Sequence, residues 1–119
     1  MAVYENLPVF KVAYDLMVYM YQMCGNLNRL YRYSIGERIE MELMDLLLDI
    51  YRANSNEDKI SFLRNAREKV TSIKLCVRLL HDTKQISLKR FSYISEQMES
   101  VSKQLTAWYK KCNKGIIKQ

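Results

Sequence analysis

The sequence predicts an all-α protein, a single domain folded as an antiparallel up-down-up-down four-helix bundle, and three observations lead to that prediction. The 119 residues include only three Gly and one Pro, which leaves little turn chemistry for the many connections of an all-β fold. Apolar residues recur at steps of three and four in four separate stretches, as on the buried face of a helix. Because short connections join these long stretches, consecutive helices should run antiparallel.

The first helix is predicted over residues 8–25, because Pro8 suits a first helical turn and Gly25 is a typical stop. It carries two apolar rows. One row is Val9, Val12, Leu16, Tyr19 and Met23, and the other is Phe10, Ala13, Met17, Met20 and Cys24. Since a monomeric bundle would leave one of these rows in water, we expect the protein to form oligomers.

The second helix is predicted over residues 35–53. Ser34 and Glu37 have the spacing of a capping box, so the Ser34 hydroxyl should accept a hydrogen bond from a backbone N–H of the first turn. The core row of this helix is Ile39, Leu43, Leu46 and Ile50, and its acidic residues gather near its beginning, where the helix dipole favours them.

The third and fourth helices are predicted over residues 56–81 and 88–112, with Asn56 and Ser87 as their caps. The third has the apolar row Leu63, Ala66, Val70, Ile73, Val77 and Leu80; the fourth has Phe91, Ile94, Met98, Val101, Leu105, Trp108 and Cys112. Residues 113–119 should form a frayed basic tail.

Three cysteines, Cys24, Cys76 and Cys112, are too few and too widely spaced for a disulfide framework, so a reducing cytoplasm is the expected location. They should be buried core residues that react slowly and bind no zinc. Charged and polar residues interrupt the apolar run of the first helix, so neither a signal peptide nor a membrane span is predicted.

Enzymatic chemistry finds no support in the sequence. The only histidine, His81, has Arg78 where a Glu-x-x-His metal motif needs Glu, and it is expected at a helix end. No Gly-rich phosphate loop is present, because the glycines stand alone. We therefore predict no catalytic residue, no metal site and no cofactor.

Basic residues give the strongest functional signal, with a net charge of +6 and a pI near 9.3. On the third helix Arg64, Arg67, Lys74 and Arg78 fall within an arc of about 80°. Such a stripe can follow a phosphate backbone, and it can equally be a solvated helix face. Further basic residues, Lys89, Arg90, Lys103 and the tail lysines, favour a polyanion partner, RNA and/or DNA.

Nine tyrosines are the second unusual feature. Amphipathic rings of this kind suit subunit interfaces, which is the interpretation we favour for most of them. Tyr31, Arg32 and Tyr33 alternate aromatic and basic side chains in the first connection, as base-stacking surfaces do, and their role stays open.

Four stretches of the sequence resemble the accessory variability proteins of diversity-generating retroelements, a branch of the four-helix bundle family related to proteins encoded in 23S ribosomal RNA intervening sequences. These stretches begin at Leu7, Tyr33, Tyr51 and Leu88 and read LPVFK, YSIGERI, YRANS and LKRFSYIS. The resemblance extends over nearly the whole chain.

The resemblance implies a non-enzymatic partner of a reverse transcriptase that helps to copy a template RNA into DNA with errors. It also implies a homopentameric ring with a positively charged, nucleic-acid-binding surface, and it carries over no catalytic residue. Two classes of function remain open: this nucleic-acid-binding adaptor, and a purely structural oligomeric bundle whose charge serves only solubility.

Overall fold

The computed structural model describes residues 3–117, with side chains for residues 3–114, and within that range it contains four long α-helices and no strand. Their bounds are Pro8–Cys24 (α1), Glu37–Ser55 (α2), Ile60–Asp82 (α3) and Leu88–Ile117 (α4). A 3₁₀ turn, Tyr4–Asn6, precedes α1. The all-α fold predicted from composition and periodicity is confirmed.

The helices pack in cyclic order, with α1 against α2, α2 against α3, α3 against α4, and α4 against α1. Contacts between α3 and α4 show that they are antiparallel, because Lys74 contacts Glu99 and, further towards the beginning of α3, Arg67 contacts Tyr109. The result is an elongated up-down bundle with extents of 51 × 23 × 21 Å.

One continuous apolar core runs between the helices, and it contains the rows predicted for α2 and α3 almost without exception. Leu43, Ile50, Ile73 and Leu80 are fully buried. The 3–4 spacing identified these residues because a helix in a bundle buries one stripe along its length.

The two apolar rows of α1 do not divide into a buried and an exposed row, so that part of the prediction is wrong. Both rows are largely covered within one chain, because α2 covers one flank of α1 and α4 the other. A third row, Tyr14, Val18 and Tyr21, is exposed instead.

The capping box at Ser34 is also wrong. A helical turn at Arg29–Tyr31 and a π-helical turn at Arg32–Gly36 lead directly into α2, so the backbone N–H groups there already have helical partners. The Ser34 hydroxyl donates a hydrogen bond to the Leu30 carbonyl at 2.6 Å. The side chain of Asn28 is the actual cap, and it accepts from the backbone N–H of Leu30 at 3.1 Å.

The α2–α3 connection differs from its prediction because its side chains cap the end of α2 and not the beginning of α3. Asn56 donates to the Arg52 carbonyl at 2.7 Å. The ammonium of Lys59 donates to the carbonyls of Ala53 and Asn56, also at 2.7 Å. A cation at a helix carboxyl end is favourable, and α3 begins only at Ile60.

Ser87 caps α4 as predicted, accepting from the backbone N–H of Arg90 at 3.1 Å. The expected end at residue 112 is wrong, because the helix continues to Ile117. Residues 113–117 are therefore helical and not a frayed tail. Residues 118 and 119 of the predicted tail lie outside the described residues.

Candidate nucleic-acid interface

The predicted basic stripe lies along the edge where α3 meets α4. Arg67 and Lys74 reach across to α4, whereas the opposite flank of α3 uses Lys69 and Ser72 to contact Asp49 and Glu42 of α2. The stripe is thus the part of α3 that borders α4 and water.

The half of the stripe towards the end of α3 is occupied by ion pairs. Lys74 Nζ lies 3.3 Å from Glu99 Oε2, and Arg78 Nε lies 3.5 Å from Asp82 Oδ2. Both pairs are well exposed, so each contributes at most about 1 kcal/mol. Their positive charge is locally compensated.

The other half keeps its positive charge uncompensated. Among the described side chains, neither Arg64 nor Arg67 has a carboxylate within ion-pair distance, and both are exposed. The Arg67 guanidinium carbon lies 4.7 Å from the centroid of the Tyr109 ring. This cation–π contact holds Arg67 against α4 while its N–H groups remain available.

Lysines of α4 extend the half of the basic stripe that contains Arg64 and Arg67. Glu99, Lys103, Thr106 and Lys110 follow one another at steps of four, three and four, so they form one row on the helix. Because Glu99 meets Lys74, this row borders α3. We call Arg64 and Arg67 of α3 with Lys103, Lys110 and Lys114 of α4 the basic edge; all five are exposed.

Lys89 and Arg90, also predicted to bind nucleic acid, lie apart from the basic edge. Arg90 faces α1, where its Nη1 donates to the Tyr19 hydroxyl at 3.2 Å. Its guanidinium also lies 5.8 Å from the Tyr19 ring centroid, and the Tyr93 ring packs against the Tyr19 ring with centroids 4.8 Å apart. The structure therefore divides the predicted residues between two sites.

A groove of about 300 Å³ between α3 and α4 is lined by Lys74, Arg78, Phe91 and Glu99 among others. His81 lies beside it at the end of α3 and stacks on Phe91, with ring centroids 4.4 Å apart. Within the described residues, no three His, Cys, Asp or Glu side chains are grouped to hold a metal ion.

Sequence reasoning counted Lys110 and Lys114 only as tail charges that favour a polyanion partner, and it did not place them beside Arg64 and Arg67 on the basic edge. The sequence did contain one signal: Lys103, Lys110 and Lys114 are spaced seven and four residues apart, so they share one face if the helix continues past Cys112. It also missed Tyr109 as the residue that positions Arg67.

The chain resembles known proteins in sequence and in fold. A protein-family model described as bAvd-like matches residues 9–112. A crystal structure of a protein with unknown function from the S23 ribosomal protein family of Bacteroides thetaiotaomicron superposes with a TM-score of 0.80. At 18% identity, covering 91% of this chain and 99% of that chain, it establishes the shared fold. No curated protein matches the sequence.

Proposed function

Because the chain belongs to the bAvd-like family, we propose that it is a non-enzymatic accessory protein that binds nucleic acid, self-associates and partners a reverse transcriptase. In this role it assists the mutagenic copying of a retroelement's template RNA into DNA. The sequence resemblance to accessory variability proteins supports the partnership. Within the described residues no helix is both long and apolar enough to cross a membrane.

The basic edge is the observation that carries nucleic-acid binding. Its five cations lie on α3 and α4, and among the described side chains none of them has a carboxylate within ion-pair distance, so they can bind phosphates without first breaking ion pairs. Contacts of this kind release counterions from the nucleic acid and do not depend on base sequence.

Lys74 and Arg78 would extend the same surface once nucleic acid is bound. Exposed ion pairs are weak, so phosphates can replace Glu99 and Asp82 as their partners at small cost. We therefore keep Lys74 and Arg78 in the proposed interface. They should bind phosphates more weakly than the basic edge does, because each must first give up its carboxylate partner.

Self-association is proposed to use the edge between α1 and α2. The exposed apolar residues there, which we call the α1–α2 face, are Tyr14, Val18, Tyr21, Met41, Met44, Leu48 and Tyr51. Several of them line an apolar groove of about 470 Å³. An exposed apolar surface of this extent normally marks an interface.

A second copy of the chain is the occupant we propose for the α1–α2 face. The face has an apolar centre with charged residues at its border, where Lys11 and Asp15 lie beside Tyr14, as in subunit interfaces. It also lies across the bundle from the basic edge, because α1 and α2 occupy the side away from the α3–α4 edge. Assembly through it leaves the basic edge free for nucleic acid.

The partnership can be tested by sequencing the locus of this gene and co-expressing the protein with any reverse transcriptase that the locus encodes. The proposal predicts that the two proteins co-elute on size exclusion after nuclease treatment. A locus with no reverse transcriptase or template repeat, or separate elution of the two proteins, would contradict the partnership and favour the structural-bundle alternative.

A further inference from the structure

One end of the bundle is unusually rich in tyrosine and basic residues. It contains the end of α1, the connection to α2 and the beginning of α4, within residues 19–36 and 83–95. These two segments contain five basic residues and five tyrosines; Glu37, Asp82 and Glu96 directly border them, and Glu40 lies close enough to Arg32 to interact with it. The basic residues are Arg29, Arg32, Lys84, Lys89 and Arg90; the tyrosines are Tyr19, Tyr21, Tyr31, Tyr33 and Tyr93.

Contacts across the bundle bring these segments to the same end. Arg90 of α4 reaches Tyr19 of α1. A Cβ built on Gly36 would lie 3.5 Å from the Cys24 Cβ, so the connection returns directly against the end of α1. We call this region the aromatic–basic end.

Tyr19, Tyr93 and Arg90 form the first cluster of the aromatic–basic end. With Ser87 and Lys89 they line a cavity of about 480 Å³ that opens to solvent. Tyr93 is 40% exposed, so part of its ring is not covered by Tyr19. Arg90 uses one N–H on the Tyr19 hydroxyl, and its other donors can reach a ligand.

Arg32 and Tyr33 form the second cluster. The Arg32 guanidinium carbon lies 5.3 Å from the Tyr33 ring centroid, and Tyr33 is 56% exposed. Both residues lie in the π-helical turn Arg32–Gly36. Turns of this rare type occur frequently at functional sites.

We propose that the aromatic–basic end binds a single-stranded segment of RNA or DNA, with unpaired bases stacked on Tyr33 and Tyr93 and phosphates bound by Arg32, Lys89 and Arg90. This inference rests on the proposed nucleic-acid binding and assigns it a second, chemically distinct site. Exposed aromatic rings beside cations bind single strands because every base has a π face that can stack.

Single strands fit this end better than a duplex. Bases in a duplex are stacked on one another and show only their edges, so exposed rings have no base face to contact. The basic edge, by contrast, has its cations on two helices, and the ring that contacts it, Tyr109, is half-buried beneath Arg67, whereas Tyr33 is more than half exposed. The two sites therefore suit different parts of a partly single-stranded nucleic acid.

The test compares three probes by fluorescence anisotropy at one fixed salt concentration. The first is a single strand of thymidines or, in a parallel arm, uridines; the second is an abasic strand of equal length; the third is a duplex. The variants are Tyr33→Leu and Tyr93→Leu, which remove a π face. Tyr93→Phe is the matched control, because it keeps the ring and removes only the hydroxyl.

Each leucine variant should weaken single-strand binding about tenfold and leave duplex binding unchanged, since base stacking on one ring accounts for an effect of that size. Tyr93→Phe should bind like the wild type, and the wild type should bind the abasic strand more weakly than the thymidine strand. The two arms show whether RNA or DNA is preferred. Tyr33 is the safer variant for folding, because more than half of it is exposed.

Equal losses on single strand and duplex, or no loss on either, would overturn the inference while leaving the proposed function standing. Equal wild-type affinity for abasic and thymidine strands would also overturn it. A wild-type protein that binds none of the three probes would contradict the proposed function itself, and the inference with it.

Discussion

Cys24 is a buried thiol held in its neutral form. The side chain is fully buried, and burial, with a smaller contribution from Glu40, raises the pKa of Cys24 to about 12. Burial likewise raises the pKa of Cys76, with Glu42 adding to the effect. Both thiols should therefore react slowly at neutral pH, whereas Cys112, which is only half-buried, should react first.

Replacement of Cys24 by alanine should change the dependence of stability on alkaline pH. Below about pH 8 the thiol is protonated in the folded and the unfolded chain. Between its unfolded pKa and about 12, only the unfolded chain loses the proton, so rising pH destabilises the wild type. Cys24→Ala has no thiol at this position, so its stability does not fall with rising pH for this reason.

Urea unfolding of the wild type and of Cys24→Ala from pH 7 to pH 11 measures this difference. The two proteins share every other ionisable group, so the effects of those groups on stability cancel in the comparison. At pH 7 Cys24→Ala should be less stable by about 1 kcal/mol, because a buried sulfur is removed. The gap should shrink as the pH rises. A gap that stays constant over this range would contradict the assigned protonation state.

Asp49 is a buried carboxylate whose burial could have been predicted from the residue pattern but was not. It is 2% exposed and forms ion pairs with Lys69 of α3 and, at 3.5 Å, with Arg52. It stands three residues after Leu46 and four before Ala53, so it shares their buried row. The partner could not be predicted, because Lys69 comes from another helix.

At the scale of elements, the helices follow from local periodicity and their ends do not. Rows such as Leu43, Leu46 and Ile50 predict burial because helix geometry alone sets the spacing. The ends depend on which side chain reaches which carbonyl: Lys59 crosses a whole connection to reach Ala53. A cap of that kind has no fixed spacing in the sequence.

Lys84 offers a test of the α3–α4 connection. Its φ is 64°, the one positive value among the described non-glycine residues, and the next residue, Gln85, donates from its backbone to the Leu80 carbonyl at 2.8 Å. This left-handed residue ends α3 where glycine is usually found.

Lys84→Gly should raise the free energy of unfolding by about 0.5–1 kcal/mol, because glycine has no Cβ to strain in the left-handed region. Lys84→Ala, which keeps the Cβ, should give no gain. Urea denaturation at neutral pH compares the two. A glycine variant no more stable than the alanine variant would show that the connection stores no such strain.

Across the bundle as a whole, the α1–α2 face and the basic edge lie on opposite sides. A closed ring requires two different complementary patches on each subunit. We propose the α1–α2 face as one patch and the exposed Leu75 and Leu79 on α3 as the second. An isologous dimer through the α1–α2 face would not need Leu75.

Sedimentation analysis of two variants distinguishes these assemblies. Met44→Glu, on the α1–α2 face, and Leu75→Glu, on the second patch, should each reduce the oligomer to monomer, because each places a charge in an apolar contact. Both side chains are exposed, so the fold should persist. A wild-type monomer of 14.2 kDa at micromolar concentration would contradict self-association altogether. A dimer unaffected by Leu75→Glu would contradict the ring.

The candidate interface was predictable only in part. Helix spacing placed Arg64, Arg67, Lys74 and Arg78 on one arc, and the structure keeps them on one edge. Helix spacing could not show which half of this stripe forms ion pairs and which half does not, because Glu99, the partner of Lys74, is 25 residues away on another helix. It could not add Lys110, since the neighbouring helix sets which lysines border the stripe.

The most direct test of the account is the salt dependence of binding to a structured RNA hairpin. If about four cations of the basic edge meet phosphates in one subunit, log affinity should fall against log salt with a slope of roughly −3 to −4. Arg64→Gln/Arg67→Gln should weaken binding to all sequences alike and make the slope shallower by about two. Lys11→Gln/Arg38→Gln is the matched control, because it removes the same charge from exposed positions outside both proposed binding sites.

We expect a large loss of affinity for the Arg64→Gln/Arg67→Gln variant and a small one for the control variant, with both variants folded, since exposed charge-to-amide changes alter stability by less than about 0.5 kcal/mol. Equal losses would mean that positive charge acts only in bulk. If neither variant loses affinity, the basic edge does not bind nucleic acid and the adaptor function is contradicted.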